Sequence, residues 1–332
     1  RGRAANGEAD DCEGGVCEVR RRVAVVTGAN RGIGLEVASH LLSVLPADYT
    51  VLLTGRDPAK LQSARACLAE RHFAVGSGNT CCSGERAGEQ PCFFGSWVHD
   101  EGRRAPTPGE QLAPDGLPRL RSFPLDLAEA NATGSSVALA AYLREAFGGV
   151  DVLVMNAAAP AKAVADEHVG VDHFGHLALW SASRPLLRSG ARVVYVGSVS
   201  GKLSQFSPEL RERFLDPALT MEQLSALMRE YLALTHVGAH AKHGWPGSYS
   251  VAKAANGAAA RILARELASD AGAPEDVLVN ACCPGPANAP HCQKGARVIA
   301  HLATLPRGAG VSGKWFEDWD GRGWHGIREE PW

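Results

Sequence analysis

The sequence predicts an α/β fold, a doubly wound parallel sheet with helices on both faces in a single domain. Three observations predict it. Short β-branched runs alternate with helix-period stretches along most of the chain. A glycine-rich turn, Thr27-Gly28-Ala29-Asn30-Arg31-Gly32-Ile33-Gly34, separates the first strand from the first helix. Gly28, Asn156, Ser198 and Pro284 each follow a strand, where an open α/β sheet gathers its ligands. With 332 residues, 45% of them apolar, the chain can fill one large core.

The elements follow in order. Val23 to Thr27 is a short β-branched run, and Leu35 to Leu45 carries helical periodicity. Thr50 to Thr54 predicts a second strand, after which Asp57-Pro58 has the form of an N-cap with proline at the first helical position. Leu120 to Leu125 predicts a third strand, Val137 to Phe147 a helix and Val150 to Met155 a fourth strand. Arg192 to Val196, the Ala-rich helix Ser248 to Ser269 and the strand Val277 to Ala281 complete the alternation. Such alternation implies a parallel sheet covered on both sides.

The domain is expected over residues 22–307, after a polar tail at 1–21 and before a Gly- and Trp-rich tail at 308–332. For that last tail, plain C-terminal packing is favoured over an aromatic wall at the substrate mouth. Two stretches interrupt the rhythm. Residues 75–118 are rich in Gly, Pro, Cys and charge without a period and predict an irregular surface insertion. Residues 202–246 carry helical content at Pro208 to Phe214 and Met221 to Thr235, predicting a helical excursion over the crevice mouth.

A net charge of -2 and a pI near 6.7 supply no clustered cations for nucleic acid or an anionic membrane, so the expected partner is a small molecule. No run approaches the roughly eighteen unbroken apolar residues of a membrane span, and the N-terminal stretch lacks a signal-peptide core, which makes a cytoplasmic location the expectation. Because residue 1 is Arg, the sequence is compatible with a fragment or a processed chain. Nine cysteines with no Cys-x-x-Cys pair argue against a disulfide framework. His168, His173 and His176 lack acidic or thiol partners at metal spacing and read as ordinary helix-face residues, so no metal is expected.

The glycines have physical purposes: Gly28 for the tight turn, Gly32 for backbone approach to a pyrophosphate, and Gly34 for close packing of helix on sheet, with the helix N-terminus facing the phosphates. Roughly twenty residues beyond the last glycine, an acid suits NAD and an arginine suits a 2′-phosphate. Arg56 stands there, and Arg31 adds a cation within the loop, so NADP(H) is favoured. Asp57 is better placed as a cap because Pro58 follows it. Tyr249 and Lys253 are four apart, one turn along a helix. A fixed cation beside a phenol favours the phenolate and brings its acid-base chemistry towards neutrality.

Together these residues resemble the short-chain dehydrogenase/reductase family, from about Arg22 to Pro290. Within it, Ser207-Pro208-Glu209-Leu210, Gly244-Trp245-Pro246 and Asn280-Ala281-Cys282-Cys283-Pro284-Gly285 look like the monomeric NADPH-dependent carbonyl reductases. The resemblance implies a Rossmann-type fold, a monomer, and reduction of small ketones, aldehydes or quinones. It implies Tyr249 as proton donor, Ser198 as a hydrogen bond to the carbonyl oxygen, and Lys253 on the nicotinamide ribose. Gly28, Asn30, Arg31, Gly32, Ile33, Gly34, Arg56, Asp126, Asn156, Pro284 and Gly285 would complete the cofactor site, with Asp126 meeting the adenine. The competing structural roles are a turn cap for Ser198 and a helix cap for Asp126.

The sequence departs from the family pattern in four places. Asn156-Ala157-Ala158 replaces Asn-Ala-Gly. Asp172 stands where the family has an Asn that supports a relay water; its charge would oppose Lys253 and move the rate optimum to higher pH than in an Asp172→Asn variant. The segment from Asn156 to Asp172 is short, which predicts a widened or deformed cofactor wall. Where the family places a Thr after Pro284-Gly285, Asn288 is the candidate polar substitute. Met155-Asn156-Ala157-Ala158 and His173-Phe174-Gly175-His176 also resemble retinol and protochlorophyllide reductases, although the excursion before Tyr249 counts against them. From another class, an NADPH-binding sensor without turnover is the remaining alternative.

Overall fold

The computed structural model describes residues 21–73, 118–286, 292–319 and 324–332. Most of the expected 75–118 insertion, the tail up to residue 20, and Asn288 lie outside them. The chain runs β1 (Arg22–Val26), α1 (Gly32–Val44), β2 (Tyr49–Gly55), α2 (Pro58–Phe73), β3 (Leu120–Pro124), α3 (Glu129–Phe147) and β4 (Val150–Met155). It continues through α4 (Ala165–Val169), a π-helical turn (Gly170–Gly175), α5 (His176–Ser183), β5 (Leu187–Val196), α6 (Pro208–Leu215), α7 (Met221–His236) and α8 (Ser248–Ser269). Finally come β6 (Leu278–Cys283), α9 (Cys292–Ala303), β7 (Trp315–Trp319) and β8 (Trp324–Glu329).

The strands form one sheet in the order β3-β2-β1-β4-β5-β6-β7-β8. All neighbouring pairs are parallel except β7 with β8. Strands with both faces covered read as continuous apolar runs, and β1 shows why: Val23 and Val25 point into one core, Ala24 and Val26 into the other. The first core packs α3, α5, α6, α7 and α8 against the sheet, and the second packs α1, α2 and α9. Strand order reverses between β1 and β4, opening a crevice at their carboxyl ends.

The excursion is built by local capping. Ser207 Oγ accepts from Leu210 N at 3.3 Å with Pro208 beginning α6, and Thr220 and Gln223 form a reciprocal capping box at α7. The 308–332 stretch, set apart in the sequence as a tail, supplies the last two strands of the sheet. Ala281 pairs with Trp315 and Cys283 with Glu317, and Trp332 then lies over Gly257, where a Cβ would come within 2.5 Å of the indole nitrogen. Trp315, Phe316 and Trp332 are therefore core and packing residues. Among the described cysteines, Cys67 on α2 is disulfide-bonded, whereas Cys282, Cys283 and Cys292 are buried free thiols. No described helix is long and apolar enough to cross a membrane.

Candidate active site

The crevice is assembled by the loops after β1, β4, β5 and β6. Thr27, fully buried, ties the first two: its hydroxyl donates to Val154 O at 3.1 Å and accepts from the backbone N of Asn156 and Ala157 at 2.9 and 2.8 Å. Asn156 returns the bond, donating Nδ2 to Thr27 O at 2.8 Å. These loops cross so closely that only glycine fits. Gly28 has φ +64°, and a Cβ on Gly34 would lie 2.5 Å from Asn156 Nδ2 and 2.6 Å from Gly28 O. The change from Asn-Ala-Gly to Asn156-Ala157-Ala158 leaves this crossing intact.

Gly32 differs in kind. Its φ is +58°, yet a Cβ there would meet nothing within 4 Å, so its bare backbone faces open space at the first turn of α1. That 13-residue helix has no side-chain cap at Arg31 and no acid in its first turn, leaving its leading N–H groups free of any side-chain cap. Uncapped donors, a helix dipole and an open glycine fit a pyrophosphate. Asn30 approaches Gly55 at the end of β2, while Arg31 and Arg56 are exposed. Asp57 is engaged as a cap, accepting from the N of Ala59 and Lys60 at 3.0 and 3.1 Å, as Pro58 led one to expect. Asp126 lies beyond β3 beside the end of β2. Its oxygens accept from Ala128 N and Asn131 Nδ2 at 3.0 Å each, so it starts α3 locally.

The catalytic candidates converge on α8. Lys253 and Tyr249 share one face, with the ammonium 5.6 Å from the phenol ring centroid. Ser198 follows β5, and its Oγ accepts from Ser200 N at 3.2 Å, so it does cap the short turn Val199–Gly201. That turn abuts α8: a Cβ on Gly201 would lie 2.6 Å from the Lys253 carbonyl carbon. Lys253 Nζ also reaches Val196 O at 3.5 Å. Cys283 stitches the β5 and β6 loops together, its Sγ accepting from Val199 N at 3.2 Å and Gly285 N at 3.3 Å. Buried Pro284 and left-handed Gly285, φ +70°, close that side.

Asp172 is placed differently from expectation. Where its charge was expected to oppose Lys253 from the site of a relay water, it takes the ammonium directly, Nζ to Oδ1 at 2.6 Å, and its other oxygen accepts from Ala159 N at 3.0 Å. Both side chains are buried. Burial pulls the Lys253 pKa down, but the charges of Asp172 and Tyr249 and the Asp172 bond outweigh it, and the net displacement is upward. The short connection from Asn156 makes this geometry. A five-residue α4 runs straight into a π-helical turn, which carries Asp172 inward, and Gly175 ends the turn where a Cβ would strike Leu127 O at 2.3 Å.

Sequence reasoning missed several residues. The three histidines read as ordinary helix-face residues are each buried and hydrogen-bonded: His168 to Pro160 and Ser248, His173 to Ser225, and His176 to Asn256. Asn256, seven residues after Tyr249, donates to Val196 O at 3.2 Å behind Lys253. Spacing on α8 could have flagged Asn256; nothing in the sequence distinguishes His168. Among the described residues no group of three or more His, Cys, Asp or Glu side chains is placed to hold a metal ion.

Fold and site together define a dinucleotide-dependent oxidoreductase class, and comparison with known proteins gives the family. No protein-family model matches the chain. Carbonyl reductase (NADPH) 1 of Pongo abelii is 31% identical over 323 residues, covering 90% of this chain and 98% of its own. Carbonyl reductase (NADPH) 3 of Homo sapiens is 30% identical over 305 residues, covering 86% and 91%. The solved menthone neomenthol reductase of Mentha piperita has a TM-score of 0.66 at 25% identity, covering 90% of this chain and 98% of its own. Salutaridine reductase of Papaver somniferum shares the fold, with a TM-score of 0.67 at 22% identity over 90% and 100%. The chain belongs to the short-chain dehydrogenase/reductase family, and its nearer likeness is to carbonyl reductases.

Proposed function

We propose that this protein is an NADPH-dependent carbonyl reductase acting on small ketones, aldehydes or quinones. The observation that carries the reading is the pairing of Tyr249 with a buried Lys253, 5.6 Å from ring centroid to ammonium, on a helix that borders the glycine-lined crevice. Gly28, Gly32, Ile33 and Gly34 hold the pyrophosphate, with Asn30, Arg31 and Arg56 on the adenosine phosphate side and Asp126 near the adenine. Asn156, Pro284 and Gly285 line the nicotinamide side. The NADPH-named relatives support this cofactor choice.

When bound, the reduced nicotinamide supplies hydride to the carbonyl carbon. Tyr249 donates its hydroxyl proton to the carbonyl oxygen, and Ser198 stabilises the charge developing on that oxygen by a second hydrogen bond. Lys253 stabilises the phenolate left on Tyr249, and Asp172 fixes the lysine in place. A monomeric, cytoplasmic enzyme accompanies this reading, with α6 and α7 covering the face beside α8.

Following NADPH absorbance with menadione, isatin and simple aldehydes tests the function, with Tyr249→Phe alongside. Active wild type and inactive Tyr249→Phe are expected; a variant as active as the wild type removes Tyr249 from the mechanism. One observation favours a second reading, a protein that binds NADPH without turning it over: Asp172 already engages the Lys253 ammonium at 2.6 Å. Quenching of tryptophan fluorescence by NADPH, with no oxidation against any carbonyl, identifies that case.

A further inference from the structure

We propose that His168 is a positioning residue for Tyr249, holding the phenol through a hydrogen-bonded chain that joins two walls of the crevice. This rests on Tyr249 being the proton donor. His168 is 1% exposed on the five-residue α4, far too short to hold its own place by helix formation. Its Nε2 lies 3.0 Å from Pro160 O. A carbonyl only accepts, so Nε2 carries a proton, and in the neutral ring Nδ1 is left as an acceptor. Ser248 supplies the donor, its hydroxyl 2.9 Å from Nδ1.

Ser248 opens α8 and directly precedes Tyr249. Tyr231, from α7 of the excursion, faces Ser248, which partly offsets the upward push of burial on the Tyr231 phenol. Pro160 belongs to the loop after β4, and its carbonyl additionally receives Ala163 N at 2.8 Å. The imidazole thus links the β4 loop and α8. Turning the ring over would exchange both nitrogens for carbons and lose both bonds.

The same ring stands edge to face against Tyr249, centroids 5.7 Å apart at 67°. It forms one side of the slot in which the phenol stands, so the bonds that orient His168 also set where the Tyr249 hydroxyl points. Displacing a reacting group by about 1 Å costs on the order of 100-fold in rate. His168 does not itself need to touch substrate.

The test compares His168→Phe, which keeps a ring against Tyr249 but loses both hydrogen bonds, with Ser248→Ala, which cuts the link from the α8 side. Each is expected to lower kcat on the order of 10- to 100-fold. KM, and the NADPH Kd read by tryptophan fluorescence, should stay within about twofold, because the perturbation is local to the phenol. The solvent deuterium isotope effect on kcat should rise as proton delivery slows. Acting through one chain, the two changes should not multiply: the double variant falls no further than the weaker single. A folded His168→Phe with wild-type kcat and isotope effect overturns the assignment, as do losses that multiply in the double variant. Tyr249→Phe separates the two levels. If it retains activity, the proton-donor reading fails and takes this proposal with it; if it is inactive while His168→Phe matches the wild type, only the role of His168 fails.

Discussion

Acid should loosen the excursion from the site, and His173 makes the effect measurable. This residue sits on the π-helical turn beside Asp172, 3% exposed, with Nε2 2.9 Å from Ser225 Oγ on α7. Burial pushes its pKa down to about 3, and His176 and Arg229 press in the same direction. The neutral ring is therefore the folded form, while the unfolded chain protonates it near its ordinary value of about 6.5. Stability from neutral His173 is fully present above about pH 6.5 and is lost as pH falls towards 3. At pH 5 the loss amounts to about 2 kcal/mol by linkage. For a chain of this size that corresponds to about 3 °C in Tm. The assay is thermal unfolding followed by circular dichroism at pH 7.5 and pH 5, for wild type and His173→Gln. The amide can keep a bond to Ser225 but takes up no proton. Other buried histidines, such as His72 with its pKa lowered to about 4 mainly by burial, titrate in both proteins and cancel in the difference. The wild type should lose about 2 kcal/mol more than the variant between the two pH values. Parallel losses would show that His173 is protonated in the fold and refute the reasoning.

Four further outcomes are expected. Replacing Asp172 by Ala strands a buried ammonium and should cost about 3–5 kcal/mol in denaturant unfolding. Asp172→Asn removes the negative charge while leaving a side-chain oxygen for Ala159 N, and its pH–rate optimum should lie below that of the wild type; coincident profiles would separate Asp172 from the chemistry. Gly34→Ala drives a Cβ into Asn156 Nδ2 and the Gly28 carbonyl, at 2.5 and 2.6 Å. Backbone cannot retreat cheaply, so about 1–3 kcal/mol of stability and much of the NADPH affinity should disappear together, as read by unfolding and fluorescence titration. Arg56→Ala should weaken NADPH binding by about 1 kcal/mol or more while sparing NADH, since only the former carries the 2′-phosphate; equal Kd changes for both would place Arg56 away from the phosphate.

Much of this architecture was legible in the sequence because its signals are local. Short runs rich in β-branched residues, such as Val150 to Met155, suit strands buried on both faces, and Gly28, Gly32 and Gly34 answer backbone demands that a single turn imposes. Helix spacing by itself put Tyr249 and Lys253 on one face of α8. Other features depend on residues far apart in the chain. The strands β7 and β8 carry Glu317 and Asp318 among their aromatics, so no apolar period marks them. Glu317 is buried only because Lys202, 2.8 Å away, and the Trp315 indole, 2.6 Å away, meet it. The direct Asp172–Lys253 ion pair spans 81 positions, and the His168–Ser248 link spans 80. Composition and periodicity determined the layered sheet and the dinucleotide turn, since these arise from neighbours along the chain. Which charge neutralises Lys253, and which ring lies against Tyr249, only the tertiary structure decided, because buried polar groups are matched across space by partners that sequence distance does not reveal.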